Sequence, residues 1–316
     1  MPELPDVTIY VESIVRRVIG APLRWVRVTK PFVLRSVDPP LAEFAEQRVV
    51  GVRRMGKRIV IEAEGELFLV VHLMIAGRLR WVSAGAKARV PPSLALAELA
   101  FDHGTLVLTE AGSKRRASLH AVRGAERLTE FDRGGLEPLD STLDAFAVRL
   151  TLENHTLKRA LTDPRLFSGI GNAYSDEILH RARLSPLALT ARLSHDDMTR
   201  LHAATVGTLA EWTERLRAEV GDGFPEKVTA FRDGFAVHGR FRLPCPDCGV
   251  PVQRIRYAEN ETNYCAHCQT DGRLLADRAM SRLLKQDWPR SLADMEEHVA
   301  ARTVVPDALR RGGAVG

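Results

Sequence analysis

Cysteine is scarce in this chain of 316 residues: there are four, and none precedes Cys245. A framework of disulfides spread through the fold is excluded, and the chain suits a reducing compartment, which predicts the cytoplasm, at the nucleoid in a bacterium. The amino terminus lacks a basic segment followed by an apolar stretch. The longest apolar run, residues 67–77, is interrupted by His72 and too short for a bilayer. Neither a targeting segment nor a membrane anchor is expected. Internal repeats and low-complexity blocks are also missing, and 45% hydrophobic residues suffice for ordinary packed cores. The length predicts two domains with an appendage.

Charge of one sign is not dominant: 45 Lys and Arg face 40 Asp and Glu, a net +5. That balance points only weakly to an acidic partner. The clustering says more. Arg53, Arg54, Lys57 and Arg58 form one knot, Lys114, Arg115 and Arg116 a second, and Arg240, Arg242, Arg254 and Arg256 surround the cysteines. Such knots can neutralise several phosphates, although a solvated charged face is the default reading for any one of them alone.

Val7, Tyr10, Val11, Ile14, Val15 and Val18 recur at helical spacing, which predicts a helix over 7–19 with Asp6 as its N-cap and Gly20 as its stop. Short β-rich runs follow at 25–28, 58–62, 67–71, 78–81 and 105–108, separated by Gly, Pro and charged residues as in an antiparallel sandwich. Beyond Gly134, Gly135 and Pro138 the pattern turns helical, at 142–150, 156–161, 173–182 and 195–218, with an amphipathic tail helix at 274–284. Between the second and third of these lies a turn in which Gly169 and Gly171 permit close backbone approach and Asn172 can cap the next helix. The expected organisation is a catalytic domain at 1–130, a helical domain at 131–240, a finger at 241–269 and an extension at 270–316.

Cys245-Pro-Asp-Cys248 and Cys265-Ala-His-Cys268 are two C-x-x-C knuckles sixteen residues apart, the spacing of a four-thiolate zinc site. One zinc ion is expected, and its role is structural because four cysteines leave no open coordination position. His267 is expected to be exposed, and residues 250–264 have the length of a hairpin. The chain opens Met1-Pro2-Glu3-Leu4-Pro5-Asp6. Removal of Met1 would expose a secondary amine, a nucleophile that forms a cationic iminium with a sugar aldehyde carbon.

Pro2 to Val7, Met55-Gly56-Lys57, the stretch from Gly169 to Glu177 and the four-cysteine finger occur in this order, and with them the chain resembles the formamidopyrimidine-DNA glycosylase and endonuclease VIII family. The resemblance spans residues 2 to about 269. It implies an α+β chain of two domains: an antiparallel β-sandwich with an N-terminal helix, then a helix-two-turn-helix domain with a zinc finger, working as a monomer. It also implies a partner, damaged double-stranded DNA, with abasic or single-stranded DNA as further substrates, and an activity, base excision followed by strand cleavage in DNA repair. Carried over by position, Pro2 is the Schiff-base nucleophile, Glu3 the general acid/base and Lys57 a strand lysine whose cation sits on phosphate near the lesion. Asn172 grips phosphate, Lys158 faces DNA and Met74 fills the space of an everted nucleotide.

Three departures accompany the match. Asp6 replaces the usual glutamate. Ser113-Lys-Arg-Arg-Ala-Ser118 keeps Arg116 as an orphan-base contact but lacks the aromatic wedge. In the finger turn Asn260 stands at the place of an arginine, so Arg254 and Arg256 are the candidates for its phosphate contact. Residues 220–240, where some members carry a base-capping loop, also look short. A second function class follows from these departures: a damage-binding protein of the same fold with weakened base excision.

Overall fold

The computed structural model describes residues 1–86, 90–112, 114–226, 228–257, 260–275 and 290–294. The helix expected at 274–284 lies outside these residues beyond Leu275.

Helix α1 spans Leu4–Val18 and buries Val7, Tyr10, Ile14 and Val18 along one face. It begins earlier than its apolar period suggests. Glu3 is the N-cap, and Pro5 is accommodated in the first turn, where its missing N–H would have had no partner within the helix. Asp6 is therefore inside the helix, not its cap, and its Oδ2 accepts the Glu3 backbone N–H at 2.8 Å.

Among the described residues nine strands follow: β1 (Pro22–Leu23), β2 (Trp25–Val28), β3 (Gln47–Met55), β4 (Arg58–Ala63), β5 (Leu67–His72), β6 (Gly77–Ser83), β7 (Ala95–Phe101), β8 (Gly104–Glu110) and β9 (Ser118–Arg123). They form two antiparallel sheets, ordered β1-β3-β4-β5-β9 and β2-β7-β8-β6, the expected sandwich. Strand β5 shows why its sequence is continuously apolar. Leu67, Leu69 and Val71 enter the main core with α1, while Phe68 and Val70 pack on the opposite face with Met55, Val60 and Leu128.

The second half contains α2 (Ala125–Leu128), α3 (Leu143–Leu150), α4 (Leu157–Thr162), α5 (Asn172–Ala182) and α6 (His195–Val220). Phe146, Phe167, Tyr174, Trp212 and Phe235 fill their core, and Leu4 of α1 belongs to it too. Helix α1 thus has its first residue in one core and its remaining apolar face in the other. The finger is a hairpin, β10 (Gln253–Tyr257) and β11 (Asn260–Tyr264), followed by α7 (Ala266–Thr270). Between α6 and the finger the described residues of 221–240 form no regular element. Phe224 and Val228 lie on the sandwich core and Phe235 in the helical one.

Candidate active site

The first turn of α5 presents backbone N–H groups that no helical carbonyl can accept. Glu3 satisfies them. Its Oε2 accepts from Gly171 N at 2.6 Å and Tyr174 N at 3.2 Å, and its Oε1 from Ala173 N at 2.9 Å. The positive end of the helix dipole adds to these bonds, so the carboxylate is fixed in a buried place. Leu4 N donates to Gly169 O at 2.9 Å and closes the clamp on the chain's opening residues. Gly171, not Asn172, is the N-cap of α5; Asn172 is its first residue, and its Nδ2 donates to Glu261 O of the finger at 2.9 Å.

Glycine at 171 is required by space. Its φ of −134° is ordinary extended backbone, but an added Cβ would stand 2.6 Å from Glu3 Cδ and 2.7 Å from Lys57 Nζ. Those two distances also locate Lys57 beside Glu3. Lys57 lies in the turn between β3 and β4, not in a strand. Burial lowers the pKa of its ammonium, Glu3 opposes that shift and Lys158 reinforces it. Burial also lowers the pKa of the Met1 amino group, with Glu3 and Asp6 acting in the opposite sense and Arg78 and Lys57 in the same one. Met1, Lys57, Arg58, His72 and Arg133 help to line a cavity of about 280 Å³ at this place. His72 is pushed down to about 4 by burial, then by Arg58 and Lys57, and is neutral at physiological pH.

The other residues singled out in the sequence divide into two groups. Lys158 turns inward: its Nζ donates to Asn172 O at 2.6 Å and pairs with the buried Asp176 at 2.5 Å. Arg254 lies 4.0 Å over the Phe241 ring and 3.5 Å from Glu261, so it braces the finger. Arg54, from the first basic knot, is likewise committed, to Glu137 and to Ser168 Oγ at 3.1 Å. Arg256 is exposed on β10 opposite Glu261, and the Arg116 side chain is exposed while its backbone N donates to Glu110 at 3.0 Å. Ala117 is fully buried in the sandwich core, so position 117 points inward and has no room for an aromatic wedge. Met74 is half-buried with a left-handed φ of 52°, and its neighbour Ile75 is 59% exposed at the tip of the β5–β6 loop. Ile75 was not singled out in the sequence. Its signal was an apolar residue in a turn two positions before Gly77, whose Cβ would collide with Leu73 O at 2.2 Å.

The four cysteines converge as their spacing predicts, with all sulfurs within 4.8 Å of one another. Cys245 and Cys268 lie 3.9 Å apart and Cys248 and Cys265 3.4 Å apart, near the ~3.8 Å edge of a tetrahedron with Zn–S bonds of about 2.3 Å. Burial pushes the Cys265 thiol up to about 11, so the donor set needs a cation to hold it deprotonated. The residues fit zinc. His267 is exposed, as expected, whereas the buried His180 of α5 brings Nε2 to 3.3 Å from Cys245 Sγ. Asp176 and Glu177, also on α5, hold the adjoining chain. Asp176 binds His238 Nδ1 at 2.7 Å and Asn263 N at 3.1 Å, and Glu177 accepts the backbone N–H groups of Ala236, Val237 and His238.

Three family models match in this order: the formamidopyrimidine-DNA glycosylase N-terminal domain at residues 1–127, its H2TH domain at 135–220, and the zinc finger found in FPG and IleRS at 242–270. Among relatives, the formamidopyrimidine-DNA glycosylase of Thermus thermophilus is 34% identical over 280 residues, 86% of this chain and 100% of its own. That of Solibacter usitatus is 30% identical over 278 residues, covering 85% and 99%. The crystal structure of the MutM (Fpg) protein from Thermus thermophilus superposes with a TM-score of 0.71 at 33% identity, over 85% of this chain and 98% of that one. The Lactococcus lactis Fpg in complex with abasic-site DNA shares the fold, with a TM-score of 0.73 at 21% identity over 85% and 99%. Sandwich, helical domain and four-cysteine finger, matched in order and nearly end to end in these relatives, establish that the chain belongs to the formamidopyrimidine-DNA glycosylase family.

Proposed function

We propose that the protein is a DNA glycosylase and abasic-site lyase acting on damaged DNA, with Pro2 as nucleophile once Met1 is removed. The observation that carries this is the Glu3 carboxylate, held on the α5 amides beside Lys57 and directly following Pro2. With Met1 in place the Pro2 nitrogen is an amide and cannot attack. As a free amine it would add to C1′ of the damaged nucleotide while the C1′–base bond breaks and its electron pair leaves with the base. The Glu3 carboxylate takes the proton from the nitrogen and hands it to the sugar ring oxygen as the C1′–O4′ bond opens to an iminium. Loss of a C2′ proton expels the 3′ phosphate, and a further elimination expels the 5′ phosphate. Lys57 supplies a cation for a flanking phosphate. Zinc, when bound, holds the finger together.

The second reading, a damage-binding protein with weakened excision, draws on Ala117 and on the inward commitment of Lys158 and Arg254. Borohydride trapping separates the two. The Met1-processed protein should form a reduced covalent adduct with an abasic-site duplex, and Glu3→Gln should bind that duplex but slow base excision by roughly 10²- to 10⁴-fold. The pH dependence has a definite sign. A free amine attacks and an ammonium does not, so trapping rises with pH through the pKa of the exposed Pro2 amine; burial lowers the pKa of the Met1 amino group at this place, and burial of the Pro2 amine would act in the same sense. Binding without any adduct would leave the second reading in possession.

A further inference from the structure

Asp6 and Arg232 are 226 residues apart in sequence and form a buried ion pair, with side chains 4% and 8% exposed. The two Asp6 oxygens have different partners. Oδ1 takes the Arg232 guanidinium and Oδ2 takes the Glu3 backbone N–H at 2.8 Å. A single carboxylate therefore ties residues 221–240 to the N-cap of α1, the residue next to the nucleophile proposed above. Both side chains also border a cavity of about 350 Å³ with Phe224, Glu219 and Glu226, and Arg232 Nε has no hydrogen-bond partner among the described residues. A buried guanidinium with an unused donor, beside open space, is an expensive way to fill volume. Its location suggests that geometry at the N-cap is what it serves.

We infer that Arg232 is a positioning residue for the Pro2 nucleophile: it pins Asp6 so that Asp6 holds the Glu3 backbone, and it neutralises the Asp6 charge in the vicinity of the amine. This rests on the glycosylase and lyase reading. The charged groups acting at the Met1 amino group, one residue before the Pro2 nitrogen, are Glu3 at the α1 N-cap, Asp6 from α1, Arg78 from β6 and Lys57 from the β3–β4 turn. Those acting on Asp6 and Arg232 include Glu3, Tyr174 of α5 and Glu219 of α6. Removing either member of the pair should therefore slow the attack, and removal of Asp6 should also shift the pH at which the amine becomes reactive. Asp6→Asn leaves the Arg232 cation, which favours the neutral amine. In Arg232→Met the Asp6 carboxyl, already pushed up by burial, loses the guanidinium that opposed that shift, so it takes a proton and both charges of the pair vanish together.

The test is single-turnover borohydride trapping on an abasic-site duplex across pH, with DNA affinity measured in parallel on the full-length, Met1-processed protein. Arg232→Met should slow trapping about tenfold while affinity stays within about twofold. Its pH midpoint should stay near that of the wild type, that of Asp6→Asn should fall, and Arg232→Lys should restore the wild-type trapping rate. An Asp6→Asn midpoint that stays put or rises, or trapping by Arg232→Met at the wild-type rate, would overturn the inference and leave Arg232 a packing residue. Should Arg232→Met fail to fold, Asp6→Asn decides alone, a lowered midpoint supporting and an unmoved one refuting. Absence of trapping by the wild-type protein would instead overturn the proposed function itself.

Discussion

Gly171 shows how much of this site depends on the absence of a single carbon. Three amides fix Glu3 from one side, and Lys57 approaches from another, so the atoms that a Cβ would strike have little freedom to retreat. Gly171→Ala should therefore cost the protein about 1–3 kcal/mol as an overpacked site. Its effect on base excision should be larger, on the order of 100-fold, because Glu3 is displaced from the helix terminus. Thermal unfolding and single-turnover excision measured together check this; an alanine variant with full excision would show that Glu3 does not act from the place it occupies. At this scale the sequence was partly legible. Pro2 offers a secondary amine by residue type, but Glu3 acquires its role only through the family resemblance, and the Gly169–Gly171 turn alone reads as an ordinary turn. The partners of Asp6 were not legible, because an ion pair across 226 residues leaves no periodicity or spacing to read. Asn172, Lys158 and Arg254 have the residue types of phosphate ligands, yet each has a partner within the protein, and only the folded arrangement shows it.

At the scale of elements, α5 links the two ends of the site. Its first turn holds Glu3, its second contributes Asp176 and Glu177 to residues 236–238 and to Asn263, and His180 near its end faces the Cys245 sulfur. The finger unit is too small to fold on its own hydrophobic core, so zinc supplies most of its stability. Its loss would also free the partners that Asn172 and Asp176 now hold. Cys265→Ser should bind less than one zinc per chain by elemental analysis and lose DNA affinity. His180→Phe should retain the metal but release it faster to a chelator, since a hydrogen bond to a coordinating thiolate is removed. Equal release rates from His180→Phe and wild type would show that the 3.3 Å contact does not support the metal site. Helices α1, α3, α4, α5 and α6 were legible from apolar spacing, as were five of the strands, whereas the short α2 and α7 were not. Strands β1, β3, β7 and β9 were not legible: β1 is two residues long, β3 interleaves three arginines with four apolar residues, and β7 reads Ala-Leu-Ala-Glu-Leu-Ala-Phe, a composition equally suited to a helix. Pairing with β2 and β8 made the choice.

For the whole molecule, the question is what it costs to bring a nucleotide out of a duplex and into the cleft beside α1. Unstacking and unpairing cost a few kcal/mol, less when the base is damaged, mismatched or already absent, and proteins that bend or open DNA offset it by inserting apolar side chains into the gap. Ala117 cannot contribute, being enclosed in the core. Met74 is half-buried, which leaves Ile75, exposed on a loop whose close turn is held by Gly77, as the side chain best placed to insert. A branched aliphatic group covers less of a base than an aromatic ring does. The expected balance is strong cleavage at abasic sites and weak excision of 8-oxoguanine paired with cytosine. Ile75→Ala should widen that gap, slowing excision from matched duplexes about tenfold while changing abasic-site cleavage in single strands little. Single-turnover rates on the two substrates provide the check. If Ile75→Ala excised paired 8-oxoguanine as fast as it cleaved abasic sites, extrusion would be supported from elsewhere in the cleft and neither Ile75 nor the buried Ala117 would set lesion choice.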